Sequence, residues 1–165
     1  MGSVLSVGAL AFLTAIALIP WQSGSTALMA ALLPVAGLHY WALRRPQLIP
    51  GIAVLFCGLT ADIVSGGPPG FWVSLYAAAW LIGLMQRPWA ARGWKIGRWG
   101  LFAVAVSSVA LLAYALSYVL HRPLGSAEDV ALAVVWLILI YPGLALVLRI
   151  LDVDRPEEAL RVEGY

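Results

Sequence analysis

Apolar residues fill this chain in long blocks, and the polar residues fall almost entirely between them. Residues 4–19 form the first block, closed by Pro20, Trp21, Gln22, Ser23, Gly24 and Ser25. Residues 26–43 form the second, with Pro34 and Gly37 inside it, and 48–65 the third, with Pro50, Gly58 and Asp62. The remaining blocks are 71–85, 99–120 and 130–148, the last interrupted by Pro142-Gly143. Crossing a hydrocarbon core takes about 20 predominantly apolar residues, with a range of roughly 17–25. The pattern therefore predicts an all-α membrane protein, a bundle of about six transmembrane helices. Blocks 4–19 and 71–85 are short, which local thinning or burial against neighbours would accommodate. The bundle occupies 1–151, and a polar tail of mixed charge occupies 152–165. In that tail Asp154 is placed to cap a short helix through Glu157, Glu158 and Leu160.

Composition supports the same class. Hydrophobic residues make up 62% of the chain and charged ones 11%, against roughly 25% charged in a soluble domain. A water-soluble fold of this size would lack the polar residues to cover its surface. The single cysteine, Cys57, excludes an intramolecular disulfide and a multi-cysteine metal site. It lies in an apolar block and reads as a small buried hydrophobe. Residues 1–6 contain no Lys or Arg, and the first block runs on to Pro20-Trp21. That is the pattern of a retained helix rather than a cleaved signal peptide.

Charge gives the bundle an orientation. An even number of spans puts both termini on one side. Arg44 and Arg45 follow the second block; Arg87, Arg92, Lys95 and Arg98 follow the fourth; Arg149, Arg155 and Arg161 follow the sixth. The opposite loops contain only Arg122, so nine of the ten basic residues share a face. Positive charge stays cytoplasmic, which places both termini in the cytoplasm. Trp21, Trp41, Trp89, Trp94 and Trp99 fall near block ends, where indoles prefer the headgroup level. From Gln86 to Trp99 basic and indole side chains alternate: Arg87, Trp89, Arg92, Trp94, Lys95, Arg98, Trp99. This stretch is expected along the cytoplasmic lipid interface, attracted to anionic lipid by about 1 kcal/mol per basic residue.

Candidate chemistry is sparse. Asp62 is the only charged residue inside any block, and an intramembrane acid is a functional candidate by default. It lies about one turn before the end of its helix, where the negative end of the helix dipole disfavours an anion. Donors close by, protonation or water must compensate. The backbone N–H groups of Gly66, Gly67 and Gly70 are the nearest candidates. The alternative is a ligand- or partner-contacting carboxylate at the mouth of a cavity. The Gly66-Gly-Pro-Pro-Gly70 connection combines glycines that permit positive φ with prolines that stiffen the turn. His39 reads as an interfacial hydrogen-bonding residue. His121 begins the loop with Arg122, close enough in depth for Arg122 to pair with Asp62. The two histidines lie near opposite faces and cannot share a metal ion. No HExxH, P-loop, GxSxG or glycine-rich nucleotide turn is present. With no partner base or nucleophile for Asp62, no enzymatic activity is expected, and no metal, cofactor or nucleic acid. Small residues four apart (Ala11 with Ala15, Ala103 with Ser107, Ala113 with Ser117) would let helices approach closely.

Two stretches carry a family resemblance. Leu33-Pro34, then Tyr40-Trp41-Ala42-Leu43-Arg44-Arg45-Pro46, then Gly58-Leu59-Thr60-Ala61-Asp62-Ile63-Val64-Ser65-Gly66 with Gly70, resemble MreD, the rod shape-determining membrane protein family of bacteria. Length, six spans and cytoplasmic termini agree along the chain, while from about Ala90 onward the match is one of layout. The resemblance implies a non-enzymatic scaffold or regulatory subunit of the cell-elongation machinery in the bacterial inner membrane. Its implied partners are the bitopic protein MreC and, through it, the RodA glycosyltransferase, its class B penicillin-binding transpeptidase and the MreB cytoskeleton. It also implies that Asp62, Gly58, Gly66 and Gly70 form the family's acidic stretch, and Pro34, Trp41, Arg45 and Pro46 its second-helix signature. Both sets are candidates for a pocket or helix interface. The competing expectation is a small-molecule-binding subunit of a membrane transporter, similar in fold to the substrate-binding subunits of energy-coupling-factor vitamin transporters.

Overall fold

A computed structural model describes residues 2–18, 25–66, 68–92, 97–121 and 124–151, with side chains for all of these except 2–5 and 151. Among the described residues there are six α-helices and no strand: α1 (Gly2–Ala17), α2 (Ser25–Arg44), α3 (Gly51–Ser65), α4 (Phe71–Ala91), α5 (Gly97–Val119) and α6 (Ala127–Leu151), with one 3₁₀ turn at Pro46–Leu48. Three helices are long and apolar enough to cross a membrane: Ser25–Arg44, Gly97–Val119 and Ala127–Ile150. Ser6–Ala17 and Gly51–Ser65 are apolar but shorter.

Proline explains where the helices depart from the sequence reading. The third helix was expected from Leu48, but Pro46 starts the 3₁₀ turn and Pro50 stands at the N-cap in an extended conformation (φ −64°, ψ 145°), so α3 begins at Gly51. The fourth was expected to end at Met85, yet α4 continues through Pro88 to Ala91. A proline this close to a helix end removes one ladder bond, to the Leu84 carbonyl, without ending the helix. Gln86 to Ala91 is therefore a helical turn and a half continuous with α4. Residues 19–24, Gly67, Gly93, Trp94, Lys95, Ile96, Arg122, Pro123 and 152–165 lie outside the described residues.

The bundle is built around α2. From Pro34 to Leu43 every residue of this helix is buried, as a helix apolar on all sides must be. It packs against α1, α4, α5 and α6. Its neighbours bury one stripe each, α5 through Phe102, Ala105, Val106, Val109 and Ala113, and α6 through Ala133, Leu137, Tyr141 and Leu148. Their outward faces are apolar as well: Ile52, Phe56 and Ile63 on α3 are more than 70% exposed, as is Tyr118 on α5. A surface of this kind is matched to lipid and not to water. Lipid is as apolar as these side chains, so packing holds the helices together. Gly58 and Gly83 mark where it is closest. A Cβ at Gly58 would lie 2.6 Å from the Val73 Cα of α4, and one at Gly83 would lie 2.6 Å from the Ala42 Cβ of α2. The small-residue pairs behave differently: Ala113 and Ser117 are buried, whereas Ala11, Ala15 and Ser107 face outward.

Several hydroxyls within the helices are satisfied locally. The hydroxyls of Thr14, Thr60 and Ser108 donate to the carbonyl four residues back, and that of Ser117 to the one three back. Pro142 leaves the Ile138 carbonyl of α6 without its ladder donor. The Trp99 indole N–H of α5 supplies that bond across the helix pair, at 2.7 Å.

Candidate functional site

Successive helices run in opposite directions, which sorts the charges. The described carboxylates, Asp62, Glu128 and Asp129, sit where α3 ends and α4 and α6 begin. Arg44, Arg45, Arg87, Arg98 and Arg149 sit at the other end, around one cavity. Each end has its own polar site.

At the first end, Asp62 is 3% exposed and its carboxylate closes the start of α4. The backbone N–H of Gly70 donates to Oδ2 at 2.8 Å, that of Trp72 to Oδ1 at 2.7 Å, and that of Val73 to Oδ2 at 3.5 Å. Gly70 is the N-cap residue of α4 and has no side chain to cap with. Asp62 fills the role from the neighbouring helix, four residues and one turn beyond Gly58. Gly70 holds φ at +92°, which turns the chain so that three N–H groups face α3. The expected donors are thus partly replaced: Gly70 is one, Trp72 and Val73 are the others, and the Gly66 N–H bonds the Ile63 carbonyl instead. The dipole argument changes too. The negative end of α3 is outweighed by the positive end of α4, whose unpaired N–H groups Asp62 meets directly. Trp72 adds a second clasp, its indole N–H donating to Ser65 Oγ at 3.1 Å.

The nearby cavity, between Ala17, Ala31, Ala61, Ser65, Trp72 and Tyr76, measures about 120 Å³, and Asp62 does not line it. Small-molecule sites occupy roughly 300–1,000 Å³, so this space is too small for a vitamin-sized ligand.

Towards the other end, His39 is fully buried rather than interfacial. Its Nε2 lies 2.8 Å from Gln86 Oε1 and its Nδ1 3.3 Å from Tyr141 Oη. A carbonyl oxygen only accepts, so Nε2 carries the proton and Nδ1 accepts from the Tyr141 hydroxyl. Phe102 stacks on Tyr141 with ring centroids 3.7 Å apart and meets His39 edge-on at 5.4 Å. Four helices, α2, α4, α5 and α6, thereby meet at one imidazole.

Above this network opens a cavity of about 870 Å³ lined by the five arginines with Leu43, Leu84, Pro88, Ala90 and Ala91. Arg44 is braced by its own helix: its Nη1 donates to Tyr40 Oη at 2.7 Å and its guanidinium lies 5.3 Å from the Tyr40 ring centre.

The other sequence candidates distribute as follows. Trp41 is 1% exposed, so it is a core residue and not an interfacial one, and its indole N–H is buried without a hydrogen-bond partner. Pro34 is buried within α2. Arg45 is exposed at the entry to the 3₁₀ turn, whose first residue is Pro46. Gly66 ends α3 with φ +60°. Trp89, Arg92, Arg98 and Trp99 are exposed. Sequence reasoning missed the His39–Gln86–Tyr141 network, for which Gln86 next to an apolar block was the available signal. It also missed a capping box at α6, legible as Ser-x-x-Asp: Ser126 N–H and Oγ donate to Asp129 Oδ2, and the Asp129 N–H donates to Ser126 Oγ.

No family model matches this chain, and neither a curated protein nor a solved structure is significantly similar to it.

Proposed function

We propose that this chain is a non-enzymatic scaffold or regulatory subunit of the bacterial cell-elongation machinery, MreD-like, with six helices crossing the inner membrane and both termini in the cytoplasm. It acts by lateral helix contacts with an MreC-like bitopic partner. Through that partner it reaches a RodA-like glycosyltransferase, a class B penicillin-binding transpeptidase and MreB. The observation that carries this reading is the employment of the residues on which the resemblance rests. Asp62 holds the first turn of α4, Gly58 lets α3 touch α4, and Pro34 and Trp41 are enclosed in the core. Residues so committed build a rigid body and leave its outer, lipid-facing helix surfaces for a partner. The alternative, a small-molecule-binding transport subunit, loses its main support because Asp62 is internally satisfied and its neighbouring cavity is small.

Copurification from the native membrane in mild detergent tests the proposal: an MreC-like protein should remain bound. Clean depletion in a rod-shaped cell should give rounding, and normal rods after depletion would sink the reading. A copurifying small ligand, lost on Asp62→Asn, would favour the transport alternative.

A further inference from the structure

We propose that the outward face of α6 is the docking surface for the single membrane-crossing helix of the bitopic partner, an inference that rests on the scaffold function. α6 packs on α2 and α5 and turns Ala133, Leu137, Tyr141 and Leu148 inward. On its other side Leu132, Trp136, Leu139, Gly143, Leu146 and Ile150 share one face, all exposed. Leucines there suit lipid as well as a partner. Trp136 and Gly143 are different, because the chain's own packing gives no use to either.

Trp136 is 53% exposed. Asp129 and Arg149 are separated by about 30 Å along the helix, the thickness of a hydrocarbon core, and Trp136 lies about 10 Å inside Asp129. Its indole N–H makes no hydrogen bond in the structure. An indole nitrogen only donates, lipid tails carry no acceptor, and a polar group left unmet in hydrocarbon is costly. Trp99 shows the contrast, spending its N–H on the Ile138 carbonyl of this same helix. Trp41 also lacks an acceptor, but it is 1% exposed and enclosed where no partner reaches it.

Gly143 stands two turns further along the same face, about 10 Å from Trp136. A glycine inside a helix costs stability relative to alanine. At Gly58 and Gly83 the close approach of α4 and α2 explains it, whereas a Cβ at Gly143 would meet nothing within 4 Å. In lipid, small residues let a second helix backbone come near, and side-chain hydrogen bonds across the contact hold it. The fitting occupant is therefore a helix that crosses beside Gly143 and presents a Ser, Thr, Asn or Gln oxygen to Trp136. A second copy of this chain fits less well. Two copies paired about an axis normal to the membrane face each other at equal depth, so Trp136 would meet Trp136 and neither accepts.

The test titrates the full chain in nanodiscs with the MreC-like protein of the same cell. Trp136→Phe, which keeps the ring and removes the donor, should weaken the complex about three- to tenfold. Gly143→Leu should weaken it about tenfold or more by holding the helices apart. Trp80→Phe, the same change at an indole of α4 packed against the core, and Leu111→Ala on the exposed side of α5 should leave affinity unchanged. Unfolding temperatures no lower than wild type establish that Trp136→Phe and Gly143→Leu are folded. In a Cys57→Ser background, Leu139→Cys should cross-link to a cysteine on the partner's membrane helix and Leu111→Cys should not. Wild-type affinity for both Trp136→Phe and Gly143→Leu would overturn the surface and leave the scaffold function standing. Failure of the wild-type chain to bind the partner at all would overturn both. A Leu139→Cys link between two copies of this chain would overturn it in favour of self-association.

Discussion

The two ends of this bundle handle charge in opposite ways. At one end a single carboxylate is consumed by the fold: Asp62 lies against the N–H groups of Gly70, Trp72 and Val73, and the counter-charge is the pole of a helix. At the other end five guanidiniums gather around open space, with a neutral His39–Gln86–Tyr141 network beneath them. The first arrangement is closed, since each Asp62 oxygen accepts from the backbone and no room is left for a ligand. The second is open, with arginines from separate elements along its wall. A charge can be buried where the fold supplies the opposite pole, as the start of α4 does for Asp62.

Breaking the closed end should have the largest effect. Asp62→Ala strands the short N–H bonds of Gly70 and Trp72 away from water, and a buried unsatisfied donor costs about 1–3 kcal/mol. A loss of about 3 kcal/mol in unfolding free energy is expected in detergent. Asp62→Asn keeps an acceptor and should lose less. Equal stability of wild type and Asp62→Ala would end the view that this carboxylate caps α4. Next comes Gly58→Ala. Its new Cβ meets the backbone of Val73 rather than a yielding side chain, so α3 must move off α4, at about 1–3 kcal/mol.

The network at the other end is expected to be worth less per residue. His39→Leu and Gln86→Leu should each cost about 1–2 kcal/mol by leaving the partner unpaired. The double variant should cost less than the sum, and strict additivity would mean the 2.8 Å contact contributes nothing. The smallest effect is at the α5–α6 seam. Trp99→Phe removes the donor to the Ile138 carbonyl, a loss of about 1 kcal/mol. In a Pro142→Ala background the helix ladder supplies its own donor to that carbonyl, so the same substitution should then cost distinctly less. An identical penalty in both backgrounds would break the link between proline and indole.

Much of this was legible from the residues in order. Long apolar blocks punctuated by Pro and Gly locate helices, because a helix in lipid must satisfy its own backbone and needs about 20 apolar residues to cross. Asp62 stood out for the same reason, as a lone charge among them. Its partners did not, because they are backbone N–H groups, which every non-proline residue carries and which no side-chain pattern reveals. His39 and Tyr141 are 102 residues apart and His39 and Gln86 are 47 apart, so no helical period connects them. Trp41 was misplaced because an indole near a helix end suits the interface equally well as a core, and only the surrounding helices decide.

The sequence by itself determined a helical, lipid-compatible chain with its basic residues gathered at alternate connections, since hydrophobic length and charge placement are local properties. Only the tertiary structure decided that Asp62 is spent on capping α4 while five arginines share a cavity. Those outcomes depend on which helix ends meet, and in lipid that is set by the packing of surfaces and the pairing of stray polar groups, not by the hydrophobicity of any one segment.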